Sequence, residues 1–233
     1  MKSRTLRSET KETSREKLLL SAEQLFARYG FNGVSVRDIA NAASVNSALV
    51  GYYFGGKEGL LSEVYHRHCE PLNREREKLL DSFRANGAVP TLEQILEAFI
   101  RPSLKVTTDK DGRSDFTRLR AILSVENSAM LEKLVADNFD ESSRIFIDTL
   151  LEVMPGANRD DMIWRFHFML GTVNYTAAGP HRIRSLSEGR CNPLDPDAAT
   201  DQLIPFLAAG FRTLRIIPIS LEEEQATLEI ATH

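Results

Sequence analysis

The 233-residue chain has only two cysteines, Cys69 and Cys191, and a single tryptophan. Two cysteines so far apart exclude a disulfide framework and suit a reducing compartment, so a cytoplasmic location is expected. Long apolar runs are also missing. Nothing approaches the roughly 18 uninterrupted apolar residues of a membrane span, and no membrane partner is expected. The basic start, residues 1–7, leads into no apolar stretch, which argues against a signal peptide. No segment alternates with strand period, and there are no repeats or low-complexity tracts. A Gly-rich phosphate loop, a nucleophile elbow and a metalloprotease helix are absent, so neither an enzyme nor a cofactor is expected.

What is there is a chain 42% hydrophobic and 27% charged, enough to bury a sizeable core. Its formal charge of −4 is unevenly spread. Residues 1–60 hold nine Lys/Arg and six Asp/Glu, a net of +3, which leaves −7 for the remainder. A basic front on an acidic body hints at nucleic acid or an anionic surface.

The periodicity is helical throughout. Residues 1–12 read as a flexible arm. Thr13 and Glu16 then fit a capping box, opening a helix with Leu18, Ala22, Leu25, Phe26 and Tyr29 on one face and Gly30 as its left-handed stop. Ser35 and Asp38 form a second box before a short helix; residues 43–46 are a turn; a third short helix spans 47–53. A long helix follows from Lys57 to about Arg84, with Pro71 expected to kink it. Thr91 and Gln94 cap a helix through Leu104. Further helices are expected at 116–125, 130–154, 160–178 and from Pro196 or Ala198 to about Arg215, with a polar loop at 107–113, a loop at 179–196 and Pro205 bending the last helix. The expected fold is all-α. It comprises a helix-turn-helix head (13–56), a larger ligand-binding and dimerisation body (57–217), and a tail (218–233) that a short helix from Ser220 can begin.

Two short helices joined by a tight turn, after a longer helix, form the arrangement that places a reading helix in a DNA major groove. Asn46 and Ser47 can bond phosphates or base edges, Ala48 and Gly51 keep the helix surface low, and Tyr52 and Tyr53 offer hydroxyls and rings. Ser35 can set its helix N-terminus at a phosphate, with Arg37 and Lys57 as phosphate clamps at the rims. As residues alone, Tyr52, Tyr53 and Phe54 also fit an ordinary packed aromatic cluster. The string Ala22, Leu25, Phe26, Gly30 and Phe31, then residues 34–40, 43–46, Tyr52-Tyr53-Phe54, Lys57-Glu58, Leu60 and Leu61, resembles the TetR family of bacterial transcriptional regulators. The resemblance implies DNA contacts by Ser35, Arg37, Asn46, Ser47, Tyr52, Tyr53 and Lys57. The chain departs from the family pattern at Ser44 (often Gly), Tyr53 (commonly His) and Gly51 (often aromatic). The last two fall on the reading helix, so no operator sequence carries over.

Residues 164–171, with 204–210, resemble the branch that includes fatty-acid-responsive regulators. That resemblance implies a small hydrophobic effector, with a fatty acyl chain as the candidate. The 160–178 and last helices are apolar on more faces than one core covers. A homodimer through a four-helix interface is therefore expected, using Phe168, Leu203, Phe206, Leu207, Gly210 and Phe211. The candidate pocket is Phe99, Phe116, Leu119, Ile122, Leu123, Phe139, Phe146 and Trp164, each of which also suits plain core. Asn127, Asn174 and His167 are polar residues in apolar surroundings and candidate anchors. His66 and Cys69 lie three apart, with His68 beside them, but two ligands make an incomplete metal site, so no metal is assigned. A double-stranded operator is the expected partner. The alternatives are a helical dimer without a DNA role and a metal-responsive regulator.

Overall fold

The computed structural model describes residues 2–105, 113–123, 126, 128–178, 180–192 and 195–213. The described residues are all-α: a three-helix head with a helix-turn-helix and a larger helical body. The expected loop at 107–113 falls almost wholly, and Asn127 and the 218–233 tail wholly, outside those residues.

The head consists of α1 (Lys2–Tyr29), α2 (Val36–Ala42) and α3 (Ala48–Phe54). Helix α1 begins at Lys2, not at a cap on Thr13, and so runs through the segment expected as an arm. The physical reason is local: residues 2–12 contain no glycine or proline to interrupt the backbone bonds of a helix. The helix stops at Gly30, whose φ of +74° suits a residue without a Cβ. At α2 the expected reciprocal box is present: Ser35 Oγ accepts from the Asp38 amide at 3.2 Å while the Ser35 amide donates to Asp38 Oδ2 at 2.9 Å. Ser44, at the turn, has a φ of +54°. This left-handed backbone strains an L side chain, which accounts physically for the glycine often found here in the resembled family.

The body starts with α4 (Lys57–Phe83), followed by a 3-10 turn (Ala85–Gly87), α5 (Leu92–Lys105), α6 (Arg113–Leu123), α7 (Ala129–Val153), α8 (Arg159–Ala178), α9 (Pro180–Leu186) and α10 (Pro196–Arg212). Pro71 is exposed within α4, which remains one helix. The Thr91–Gln94 box forms, with Gln94 Oε1 accepting from the Thr91 amide at 2.9 Å. Where a loop was expected at 179–196, α9 occupies the first part. Pro180 stands at its first position, where a proline costs no intrahelical bond.

Two apolar clusters hold this together. One joins head to body: Leu18, Ala22 and Phe26 of α1, Ile39 and Val50 of the short helices, Leu60, Leu61, Val64 and Tyr65 of α4, and Phe116, Leu119 and Leu123 of α6. The other lies deep in the body, with Leu80, Ile95, Phe99, Phe146, Met162, Phe166, Leu203, Leu207 and Phe211. Each such side chain contributes about 1.5–3 kcal/mol by leaving water. Because α4 belongs to both clusters, head and body share a continuous helical support. No described helix is long and apolar enough to cross a membrane.

Candidate nucleic-acid interface and body pocket

The turn and α3 present a small, polar, exposed face. Asn46 Oδ1 accepts from the Ala48 amide at 2.8 Å and so caps α3. Ser47, Ala48 and Gly51 are exposed, and a Cβ at Gly51 would meet nothing within 4 Å. Tyr52 is 66% exposed, with its ring edge-on to Tyr53 at 5.1 Å. Tyr53 is half-buried, packed against the head core and edge-on to Phe54, so one of the two tyrosines points outward and the other supports it. Val50, the inward residue of α3, is fully buried and sets which face is left outside.

Arg37 is exposed on α2. Lys57 begins α4 with its Nζ 4.2 Å from the centre of the Phe31 ring, an attraction that holds the cation beside the head. Ser35 is exposed, but its hydroxyl donates to Asp38 Oδ2 at 2.6 Å. That bond and the Ser35 amide hold the Asp38 carboxyl below its usual range.

The expected pocket residues separate into four groups. Phe99 and Phe146 meet edge to face at 5.1 Å, and Phe166, which was not among the expected pocket residues, joins them 5.0 Å from Phe99. Phe116, Leu119 and Leu123 are buried on α6 in the cluster shared with the head, and half-buried Ile122 lies beside Gly30. Phe139 and Asn174 stand at arginines: Arg120 Nη2 donates to Asn174 Oδ1 at 3.1 Å, and its guanidinium carbon lies 4.9 Å from the Phe139 ring centre. Trp164 and His167 do not face the body core; His167 instead lines an open surface groove with Phe168, Tyr175 and Phe206. Both are exposed on α8, Trp164 by 60%, with its ring 5.7 Å from that of Phe168. The reason is register, because the inward face of α8 is taken by Met162, Phe166, Met169 and Val173.

The expected dimer residues divide in the same way. Phe168 (61% exposed), Phe206 (69%) and Gly210 face outward. Leu203, Leu207 and Phe211 are instead buried in this chain's own core, where α10 packs on α5 and α8. The pair on which a metal reading leans is divided as well: His66 is exposed near Glu70 and Cys69 is buried. Among the described residues, no three His, Cys, Asp or Glu side chains form a metal-holding group.

A family model described as bacterial regulatory proteins, tetR family, matches residues 18–64, and one described as tetracyclin repressor-like, C-terminal domain, matches 97–210. The chain has the fold of the TetR-family regulators. Among curated relatives, it is 36% identical over 87 residues to the "Probable HTH-type transcriptional regulator YttP" of Bacillus subtilis. It is 32% identical over 84 residues to the HTH-type transcriptional regulator BetI of Vibrio vulnificus. These matches cover 37% and 36% of this chain and span only 41% and 42% of the relatives' own lengths. Solved structures share the fold over nearly all of their length. A TetR-family regulator from Bordetella parapertussis superposes with a TM-score of 0.62 at 21% identity, covering 86% of this chain and 97% of that one. FadR from Bacillus subtilis, solved in complex with stearoyl-CoA, superposes with a TM-score of 0.61 at 15% identity, covering 84% and 98%.

Two joints between the TetR-type head and body were not anticipated. Glu126, just past α6, accepts from the Phe31 amide at 3.1 Å and from Asn32 Nδ2 at 3.2 Å. Glu23 of α1 and His68 of α4 meet at 2.8 Å, both almost fully buried, with His68 stacked on Phe116 at 4.7 Å. The contact does not meet hydrogen-bond geometry, so Glu23 Oε1 and His68 Nε2 are buried with no hydrogen-bond partner among the described residues. One signal was legible: Glu23 follows Ala22 directly and lies four residues after Leu19, inside an apolar stretch. Nothing in the sequence marked Glu126.

Proposed function

We propose that this chain is a ligand-responsive DNA-binding transcriptional regulator, a repressor released from a pseudo-palindromic operator by a small apolar effector carrying an acyl chain. The observation that carries the reading is the exposed face of α3, with Ser47, Ala48, Gly51 and Tyr52 outward on a helix anchored by Val50. A helix so faced fits the major groove, where small residues allow close approach and a tyrosine can reach phosphate or a thymine methyl. Asn46, Tyr53, Arg37, Lys57 and the start of α2 at Ser35 flank it as contacts.

A homodimer supplies the second reading helix, through Trp164, Phe168 and Tyr175 of α8 and Phe206 of α10, all exposed aromatics. Two solved relatives are named FadR, one of them holding stearoyl-CoA, which supports an acyl effector. Effector binding in the body reaches the head along α4 and through Glu126, and acts only by favouring one of two head positions.

Selection from random duplexes with the purified full chain tests this. The expected result is an inverted repeat whose half-sites lie about one helical turn apart, bound with a steep salt dependence. Recovery of no sequence above background would remove the regulator reading.

A further inference from the structure

Two arginines stand inside the body with no counter-charge among the described residues. Arg76 of α4 is 1% exposed, and Arg120 of α6 is half-buried. Neither forms an ion pair with any described residue. Arg76 instead donates to neutral oxygens: Nε to Phe99 O at 3.3 Å, Nη1 to Asn73 Oδ1 at 3.4 Å and Nη2 to Ser103 Oγ at 2.7 Å. Asn73 is held with its oxygen available because its Nδ2 donates to Asn138 O at 2.8 Å. Among the described residues, the Arg120 side chain donates one hydrogen bond, to Asn174. The two guanidiniums share the Phe139 ring, at 5.9 and 4.9 Å from its centre.

The ionisable groups between them bring no negative charge. Burial pushes the Tyr65 hydroxyl well above its ordinary range and the Cys69 thiol up to about 12, so both stay protonated. Burial, and then the other arginine, lowers Arg76; burial also lowers Arg120. Buried charges of like sign are costly, and a methionine would fill either site with less penalty. Arginine is the side chain whose planar fork matches a carboxylate.

We infer that Arg76 and Arg120 form a receptor for the carboxylate of an effector whose apolar part lies against Phe99, Phe116 and Phe139. The inference rests on the regulator reading and sharpens it: the acyl end is a free acid, since a thioester carries no charge for the arginines. Arg120 lies six residues before Glu126, so a carboxylate that draws on Arg120 acts close to the joint with the head.

The test titrates the full chain with octanoate and 3-phenylpropanoate, each against its own amide, by calorimetry. At least one acid is expected to bind about tenfold more tightly than its amide, the scale of one charge-assisted hydrogen bond. Arg120→Met should abolish that preference. Without any ligand, Arg76→Met and Arg120→Met should melt at or above the wild-type temperature, whereas arginines with a purely structural role would make both variants melt lower. Acid and amide binding alike, no binding of either acid, or a lower melting temperature for Arg120→Met overturns the inference. The same preparation enters the duplex selection. A selected operator without acid preference removes this inference alone, and acid preference without a selected operator removes the regulator reading alone.

Discussion

Replacing Gly30 with alanine tests how the head is locked to the body. Two costs follow from the structure. The φ of +74° is left-handed, which costs an alanine about 1 kcal/mol. Its Cβ would also stand 2.5 Å from Glu126 Oε1. The carboxylate must then withdraw from the Phe31 amide and Asn32 Nδ2, two hydrogen bonds to a charged acceptor in a partly exposed place, together about 1–2 kcal/mol. Gly30→Ala should therefore destabilise by about 2–3 kcal/mol. Glu126→Ala alone loses the same hydrogen bonds, about 1–2 kcal/mol. The double variant should cost less than the sum by about 1–2 kcal/mol, because the hydrogen-bond loss is then counted once and Gly30→Ala adds only its backbone strain. Urea unfolding of the four proteins, followed by circular dichroism and by tyrosine fluorescence, measures the cycle. Strict additivity would show that Glu126 does not hold the head, and the proposed route from α6 would fall with it.

Ser44→Gly relieves the +54° φ and should raise stability by about 0.5–1 kcal/mol, read as a higher melting temperature; a lower one would mean that the serine hydroxyl matters more than the backbone. Phe206→Asp, at a residue 69% exposed, should give folded monomers in sedimentation equilibrium, and an unchanged dimer would place the interface elsewhere. Tyr52→Ala should weaken operator affinity about tenfold while the melting temperature holds, and wild-type affinity would move the reading face off Tyr52.

The order of helices was legible because its signals are local. The Ser35/Asp38 and Thr91/Gln94 boxes, the stop at Gly30 and the apolar spacing of α1 each lie within one or two turns of chain. The exposed face of α3 was legible for the same reason, since Val50 and the small residues around it alternate with helical period. The start of α1 was not, because the absence of a breaker before Thr13 outweighs a plausible cap. The outward side of Trp164 and His167 was not legible because α8 is apolar on both sides, so periodicity could not say which side meets the core. Leu203, Leu207 and Phe211 were misplaced on α10 by the same ambiguity.

By itself, the sequence determined an all-α chain, its helix order and which residues α3 leaves exposed, since each depends on neighbours within a few positions. Only the tertiary structure decided which apolar face of α8 and α10 is spare, that Glu126 meets the head 95 residues away at Phe31, and that Arg76 and Arg120 share one ring with no counter-charge among the described residues. Those are relations between helices distant in sequence. Charge and burial at a point in space are sums over all the elements that reach it, and no window along the chain contains them.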